Sequence, residues 1–250
     1  MTDTTERNGH QHILEPSRLP SKLLTMPIAH RGLHCGPEAP ENSMPAFALA
    51  IEHGYPIELD VHLLADGGLA VFHDLTLDRM TSASGPITNI TSDQLGGLRL
   101  QGTESVIPTL QDVLDFVSGR TPLLIELKTN AFRVGDLEGA VVSAVRRYDG
   151  EFAIQSFNPL TVAWFRNEAP GFCRGQLSGG EVAAGAIRNL EPDFVAYALS
   201  GLPNAEVSKI RSSGLPILAW TIKSEDEQRK ARQVADNLIF EGYPHMKPQA

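Results

Sequence analysis

Short runs of apolar and β-branched residues recur at 27–30, 56–63, 69–73, 122–128, 152–157, 172–177, 194–198, 216–222 and 237–241. Runs of this length, bounded by Gly, Pro, Asn and Ser, predict strands. The stretches between them carry helix signals. Asn42 or Ser43 caps one helix, with Pro45 in its first turn, Phe47, Ala50 and Ile51 as its apolar positions and Gly54 as its stop. Thr109 followed by Asp112 resembles a capping box, and Leu110, Val113, Leu114 and Val117 continue that helix to Gly119. Asn158-Pro159 opens a third, which Pro170 ends, and Ser224 with Glu227 opens a mostly polar surface helix.

Strands alternating with helices imply a parallel sheet covered by helices. Repetition along the whole chain, with no Gly-x-Gly-x-x-Gly after the first strand, predicts an α/β fold of the single (β/α)8 TIM type over a doubly wound sheet. Nine candidate strands for eight places mean that one is surplus or lies outside the barrel. The suspect pair is 56–63 and 69–73, because Asp66-Gly67-Gly68 reads as a tight hairpin without room for a crossover helix. The stretch 75–108 is rich in Thr, Ser, Gly and Pro and has no clear period. It reads as a loop insertion after the third strand that covers the site.

The 250 residues, 42% of them hydrophobic, suit one such domain and exclude general disorder. Residues 1–25 are polar, without an apolar run of signal-peptide or membrane-span length, and read as a flexible tail ahead of a barrel domain over 26–250. A net charge of −9 argues against nucleic-acid partners and repels phosphates in general, so an anionic substrate needs a local positive site. With only Cys35 and Cys173 there is no disulfide framework, and a cytoplasmic protein without stable membrane association is expected.

The chemistry gathers at strand ends. Strand alternation puts Glu58, Asp60 and His62 on one face of 56–63, and Glu126 and Lys128 with Leu124 on one face of 122–128. Convergent carboxylates repel unless a cation joins them, and an all-oxygen set selects a hard ion such as Mg²⁺ or Ca²⁺. Salt bridges from Glu58, Asp60 and Glu126 to Arg31 and Lys128 are the other open reading. Five of the eight histidines fall between residues 30 and 73. His30 and His73 end apolar strands and are candidates for general acid and base. His34 and His53 read as loop or helix-end residues, and His62 is open. Arg31 and Lys128 suit a phosphate as well as the carboxylates. Trp220 walls a small-ligand pocket or belongs to the core. Ser178-Gly179-Gly180 reads as a turn or a weak anion site.

Taken together, AHRG (29–32), APENSMPAFALAIEHG (39–54), ELDVHLLADGGLAVFHD (58–74), TLDRMTSASG (76–85), IPTLQDVL (107–114), LLIELK (123–128), QSFNP (155–159) and AWTI (219–222) resemble the glycerophosphodiester phosphodiesterase family. The resemblance implies a phosphatidylinositol-phospholipase-C-like barrel that hydrolyses a small-molecule glycerophosphodiester to glycerol 3-phosphate and an alcohol. It implies Glu58, Asp60 and Glu126 as ligands of one divalent cation, Mg²⁺ or Ca²⁺, and His30 and His73 as the acid–base pair. Arg31 and Lys128 would hold the phosphate, with Glu41 and Asn42 supporting near the metal. Two positions depart from the family pattern: Ser43 replaces its usual Thr, and Glu241 falls where the family commonly has Thr-Asp, at the rear wall of the pocket. A lysophospholipase D-like or sphingomyelinase D-like enzyme, and a non-catalytic phosphodiester-binding protein on the same scaffold, are the alternatives.

Overall fold

In the computed structural model, which describes residues 18–129, 134–179 and 184–242, eight parallel strands close into a barrel. The strands are β1 (Ile28–Ala29), β2 (Ile57–Leu63), β3 (Leu69–Val71), β4 (Leu123–Leu127), β5 (Phe152–Ser156), β6 (Arg174–Ser178), β7 (Phe194–Ala198), β8 (Ile217–Ile222) and β9 (Asn237–Phe240). The helices are α1 (Ser21–Thr25), α2 (Met44–Glu52), α3 (Ser92–Leu95), α4 (Leu110–Val117), α5 (Asp136–Val145), α6 (Pro159–Glu168), α7 (Ala184–Asn189), α8 (Ala205–Ser212) and α9 (Glu225–Val234). β1 closes the ring by pairing with β9 on one side and β2 on the other.

β3 is the surplus strand. It folds back antiparallel on the end of β2, with Val61 opposite Val71 and Leu63 opposite Leu69. β1 is short and meets the same edge of β2 only at Ile57, so β3 covers the length that β1 leaves open. The hairpin turns at Gly67, whose φ of +84° is a conformation that glycine adopts without steric penalty.

Alternation divides each strand between two cores. Ile57, Leu59 and Val61 of β2 and Leu123, Ile125 and Leu127 of β4 face outward and are buried against the helix layer. Inside the barrel, Ile28, Leu124, Ala153, Phe194, Leu218 and Ile239 form a second cluster with Leu19 and Leu23. The Phe194 ring fills the room beside Gly175, where an added Cβ would lie 2.2 Å from it.

The reading of residues 1–25 as a tail is corrected at its end. Leu23 of α1 is 0% exposed and Leu19 is 2% exposed, both against the inner cluster. The Asn237 side chain at the start of β9 donates to the carbonyls of Leu23, at 2.8 Å, and Met26, at 2.6 Å. Helix α1 therefore plugs the end of the barrel at which the strands begin. Residues 1–17 lie outside the described residues.

The insertion is also more ordered than its composition suggests. Leu77, Met80, Ile87, Leu95, Leu100 and Ile107 build a core of their own with Phe72 and Ala70. α3, capped by Thr91 with Gln94, and two short 3-10 turns thread through it. The opposite rim of the barrel, where the parallel strands end, is left for chemistry.

Candidate active site

Glu58 and Asp60 lie on the inner face of β2, two residues apart, and the parallel register sets Asp60 beside Glu126 of β4. All three are buried, and one oxygen from each lies within 4.8 Å of those from the other two. Each has a different set of partners. Asp60 accepts from Asn42 Nδ2 at 2.8 Å and lies 3.0 Å from Lys128 Nζ and 3.5 Å from Arg31 Nε. Glu126 lies 2.6 Å from Lys128 Nζ. Among the described residues, Glu58 accepts only from the Arg31 backbone N–H, at 3.0 Å, and its Oε1 is buried without a hydrogen-bond partner.

The electrostatics follow these partnerships. Burial, then the charges of Asp60 and Glu126, push the Glu58 carboxyl well above the usual range. Burial and the neighbouring Asp60 raise Glu126 to about 7, against the pull of Lys128. Burial alone would raise Asp60 too, but Lys128, His73 and Arg31 together hold it below the ordinary carboxylate value. Two cations thus face three buried carboxylates. The salt bridges that the sequence allows are formed, yet they leave Glu58 uncompensated. An oxygen-only set with an unpartnered inward oxygen fits a hard divalent cation, and Glu58, Asp60 and Glu126 are the residues that would hold it.

The backbone bends sharply to place Arg31 and Asn42. Both are non-glycine residues at positive φ, 57° and 54°. Gly32 sits against α2, where a Cβ would come within 2.9 Å of Ala46. Asn42 N–H donates to the Arg31 carbonyl at 2.9 Å, linking the two bends. Ser43, not Asn42, caps α2 by accepting from Ala46 N–H, which frees the Asn42 side chain for Asp60. Strain of this kind collects where a site must hold side chains in fixed positions.

Both candidate acid–base histidines are anchored at Nδ1 by a carboxylate. His30 Nδ1 is 3.0 Å from Glu241 Oε2, and His73 Nδ1 is 2.7 Å from Asp74 Oδ1. An anchor at Nδ1 sets the tautomer and turns Nε2 away from the carboxylate. His30 Nε2 accordingly lies 3.9 Å from Glu58 Oε2. Burial lowers the pKa of both imidazoles. Glu241 also meets His34, at 3.6 Å, and pairs with Lys223; hydrogen bonds from His30 and His34 hold its carboxyl low.

Asp74 and Arg79 went unread as site residues in the sequence. Arg79 donates to Asp74 at 2.6 Å and to both oxygens of Glu41, at 2.6 and 2.9 Å, while Arg31 bonds Glu41 at 2.8 Å. A continuous chain therefore runs Arg31–Glu41–Arg79–Asp74–His73. Their signals in the sequence were the His73-Asp74 pair and the TLDRM segment.

The remaining candidates separate cleanly. His62 Nε2 meets the His73 carbonyl at 3.1 Å, so this buried ring braces the backbone of the His73 loop. His53 ends α2 and stacks near Tyr55. Trp220 on β8 lines a cavity of about 400 Å³ with His30, Arg31, His73 and Lys128, and meets Phe157 edge-on at 5.5 Å. The turn reading of 178–180 reaches Gly180, which lies outside the described residues.

What these strand ends can do together is move protons on either side of an anion that cations hold, which is the chemistry of a phosphoric diester hydrolase. The chain belongs to the glycerophosphoryl diester phosphodiesterase family, whose sequence model matches residues 30–241. It is 34% identical over 243 residues to a glycerophosphodiester phosphodiesterase of Bacillus altitudinis, covering 88% of this chain and 96% of the relative. Another, from Caldanaerobacter subterraneus subsp. tengcongensis, is 29% identical over 233 residues, covering 87% and 94%. Among solved structures, an Oleispira antarctica phosphodiesterase in complex with the product sn-glycerol-3-phosphate superposes with a TM-score of 0.80 at 27% identity, covering 88% and 93%. No helix among the described residues is long and apolar enough to cross a membrane.

Proposed function

We propose that this chain hydrolyses glycerophosphodiesters to glycerol 3-phosphate and an alcohol, with one divalent cation, Mg²⁺ or Ca²⁺, held by Glu58, Asp60 and Glu126. The observation that carries the reading is the buried carboxylate trio with an unpartnered Glu58 oxygen, flanked by two imidazoles anchored at Nδ1. The product-bound relative supports glycerol 3-phosphate as the retained half. When bound, the cation supplies charge neutralisation for the phosphate oxygens.

The residues of the chain do the rest. Arg31 and Lys128 point positive charge into an otherwise acidic molecule and receive the phosphate. Glu41 and Asn42 keep Arg31 and Asp60 in place. Trp220 walls the cavity. One of His30 and His73 takes the proton of the substrate's 2-hydroxyl as that oxygen attacks phosphorus, and the other gives a proton to the departing alcohol. The cyclic phosphate that forms is then opened by water, with the proton roles reversed.

The substrate's own hydroxyl suits the site because neither Ser43 nor either cysteine is placed to attack. Ser43 caps a helix, Cys35 is exposed in a loop, and Cys173 is buried in the inner cluster with its thiol pKa raised by burial. We place the protein in the cytoplasm, acting in lipid and glycerol metabolism, on the strength of the substrate class and the two free cysteines.

The experiment is a panel of glycerophosphodiesters incubated with the wild type and with His30→Ala and His73→Ala, reading glycerol 3-phosphate. The reading expects release by the wild type and a loss on the order of 10²-fold or more in each variant. Release of free glycerol and a phosphorylated alcohol instead would contradict it. An analogue without the 2-hydroxyl separates the two chemical routes: normal cleavage of that analogue rules out the cyclic phosphate.

A further inference from the structure

The cavity under Trp220 is only one lobe of the opening. A second lobe, of about 440 Å³, shares His73, Glu126, Lys128 and Phe157 with the first. The two differ in chemistry. The first holds Arg31, Glu41, Arg79, Lys223 and Glu241, groups suited to phosphate and to the hydroxyls of glycerol. The second sets Leu75 and Phe157 beside the short polar side chains of Thr76, Thr129 and Ser156 and the Asp74 carboxylate.

Leu75 and Phe157, its apolar walls, are unusual for this surface. Only three large apolar side chains among the described residues are exposed: Leu75 at 50%, Phe157 at 47% and Leu160 at 44%. Two of the three line the same lobe, and Leu160 follows Phe157 by three residues in the first turn of α6. Large apolar side chains left in water at the mouth of a catalytic cleft mark a surface that a ligand covers.

The walls are also held rigidly. Phe157 meets Trp220 edge-on, and its carbonyl accepts from Gln176 Nε2 at 3.1 Å. The Leu75 carbonyl accepts from Ile87 N–H at 3.0 Å, within the ordered insertion. A preformed apolar shelf binds without the ordering penalty that a flexible one carries.

We propose that this shelf is the subsite for the alcohol arm of the substrate, and that it selects diesters whose arm is an unbranched alkyl chain. The inference rests on the phosphodiesterase reading above and adds the class of leaving group. Glycerol and phosphate occupy the polar lobe, the arm passes His73, and its methylenes lie between Leu75 and Phe157. The occupant is the chain of a single dissolved substrate molecule. The shelf is two side chains wide, and a net charge of −9 gives no attraction to an anionic bilayer.

The test is a series of glycerophospho-n-alkyl diesters from methyl to hexyl, all kept below aggregation. They are assayed with the wild type, Leu75→Ser, Phe157→Ser and Phe157→Leu, with and without anionic phospholipid vesicles. In the wild type, kcat/KM rises about twofold per methylene, less than full burial of each methylene gives because the shelf is open to water on one side. Both Ser variants flatten the slope, Leu75→Ser leaves the methyl diester unchanged, Phe157→Leu restores most of the slope relative to Phe157→Ser, and vesicles change nothing. A slope equally steep in the Ser variants, or a flat slope in the wild type with the methyl diester cleaved normally, overturns the shelf alone. A slope that appears only with vesicles also overturns it, in favour of a membrane surface. Failure of the wild type on every member overturns the phosphodiesterase reading and the shelf with it.

Discussion

Of the three carboxylates at the strand ends, Glu58 carries the charge that the protein compensates least, and Asp60 the one it compensates most. Amide substitution at the two positions should therefore act with opposite sign on the cation-free protein. Glu58→Gln removes a buried, repelled charge and should raise Tm by about 2–4 °C, a gain of about 1 kcal/mol. Asp60→Asn removes the carboxylate that Lys128 and Arg31 share, leaving them Glu126 and Glu41 alone, and should cost about 3 kcal/mol. Both should lower turnover by on the order of 10²-fold. Thermal denaturation in the presence of chelator checks the sign, and equal destabilisation by both changes would refute this division of charge.

Asp74 supplies the pH prediction. Hydrogen bonds from Arg79 first, then from His73, lower its carboxyl to about 2 from the ordinary 3.8. A carboxyl depressed on folding stabilises above its unfolded pKa and loses that contribution as pH falls through its folded one. Once His73 is protonated, the Tm difference between wild type and Asp74→Asn should thus shrink as pH falls between about 4 and 2. A difference that grows over that range would contradict the Arg79–Asp74 link. At this scale the sequence displayed the residues on inner strand faces, because alternation sorts them. It hid partnerships made across the fold: His30 with Glu241 spans 211 positions and Arg79 with Glu41 spans 38. Glu241 was visible only as a departure from the family pattern, and its bond to His30 gives that departure a place in the site.

At the scale of elements, alternation and capping signals located every barrel strand and four of the helices, since each of those carries several residues of clear periodicity. α1 escaped because five residues, SKLLT, are too few to display a helical period, and only the barrel's inner cluster makes them helical. The insertion was read as a loop because its core residues, from Leu77 to Ile107, follow no period; irregular spacing is what a wrap of turns around a small cluster requires. α1 gives a test of how the two ends of the barrel divide their work. Leu23→Ala opens a cavity among fully buried neighbours and should cost about 3 kcal/mol, while kcat/KM stays at the wild-type value. A change in kcat/KM at a temperature where the variant is fully folded would show that the plugged end influences the catalytic one.

For the whole molecule, the barrel separates stability from chemistry along its axis. Leucines, a phenylalanine and α1 fill the end where the strands begin, and charged groups converge where they finish. The excess negative charge buried at the finishing end would tie the fold to the proposed cation: an ion that binds the folded state alone stabilises it by about 2.7 kcal/mol at a concentration of 100 Kd. On a chain of this length that is a Tm rise of about 5–10 °C. The most direct measurement follows glycerol 3-phosphate release by the demetallated protein, in excess chelator and then with Mg²⁺ or Ca²⁺ restored, while Tm is recorded on the same samples. The carboxylate trio predicts no release and a lower Tm in chelator, with both recovered by the cation in the wild type and neither in Glu58→Gln. Full release by the demetallated protein in chelator would contradict it.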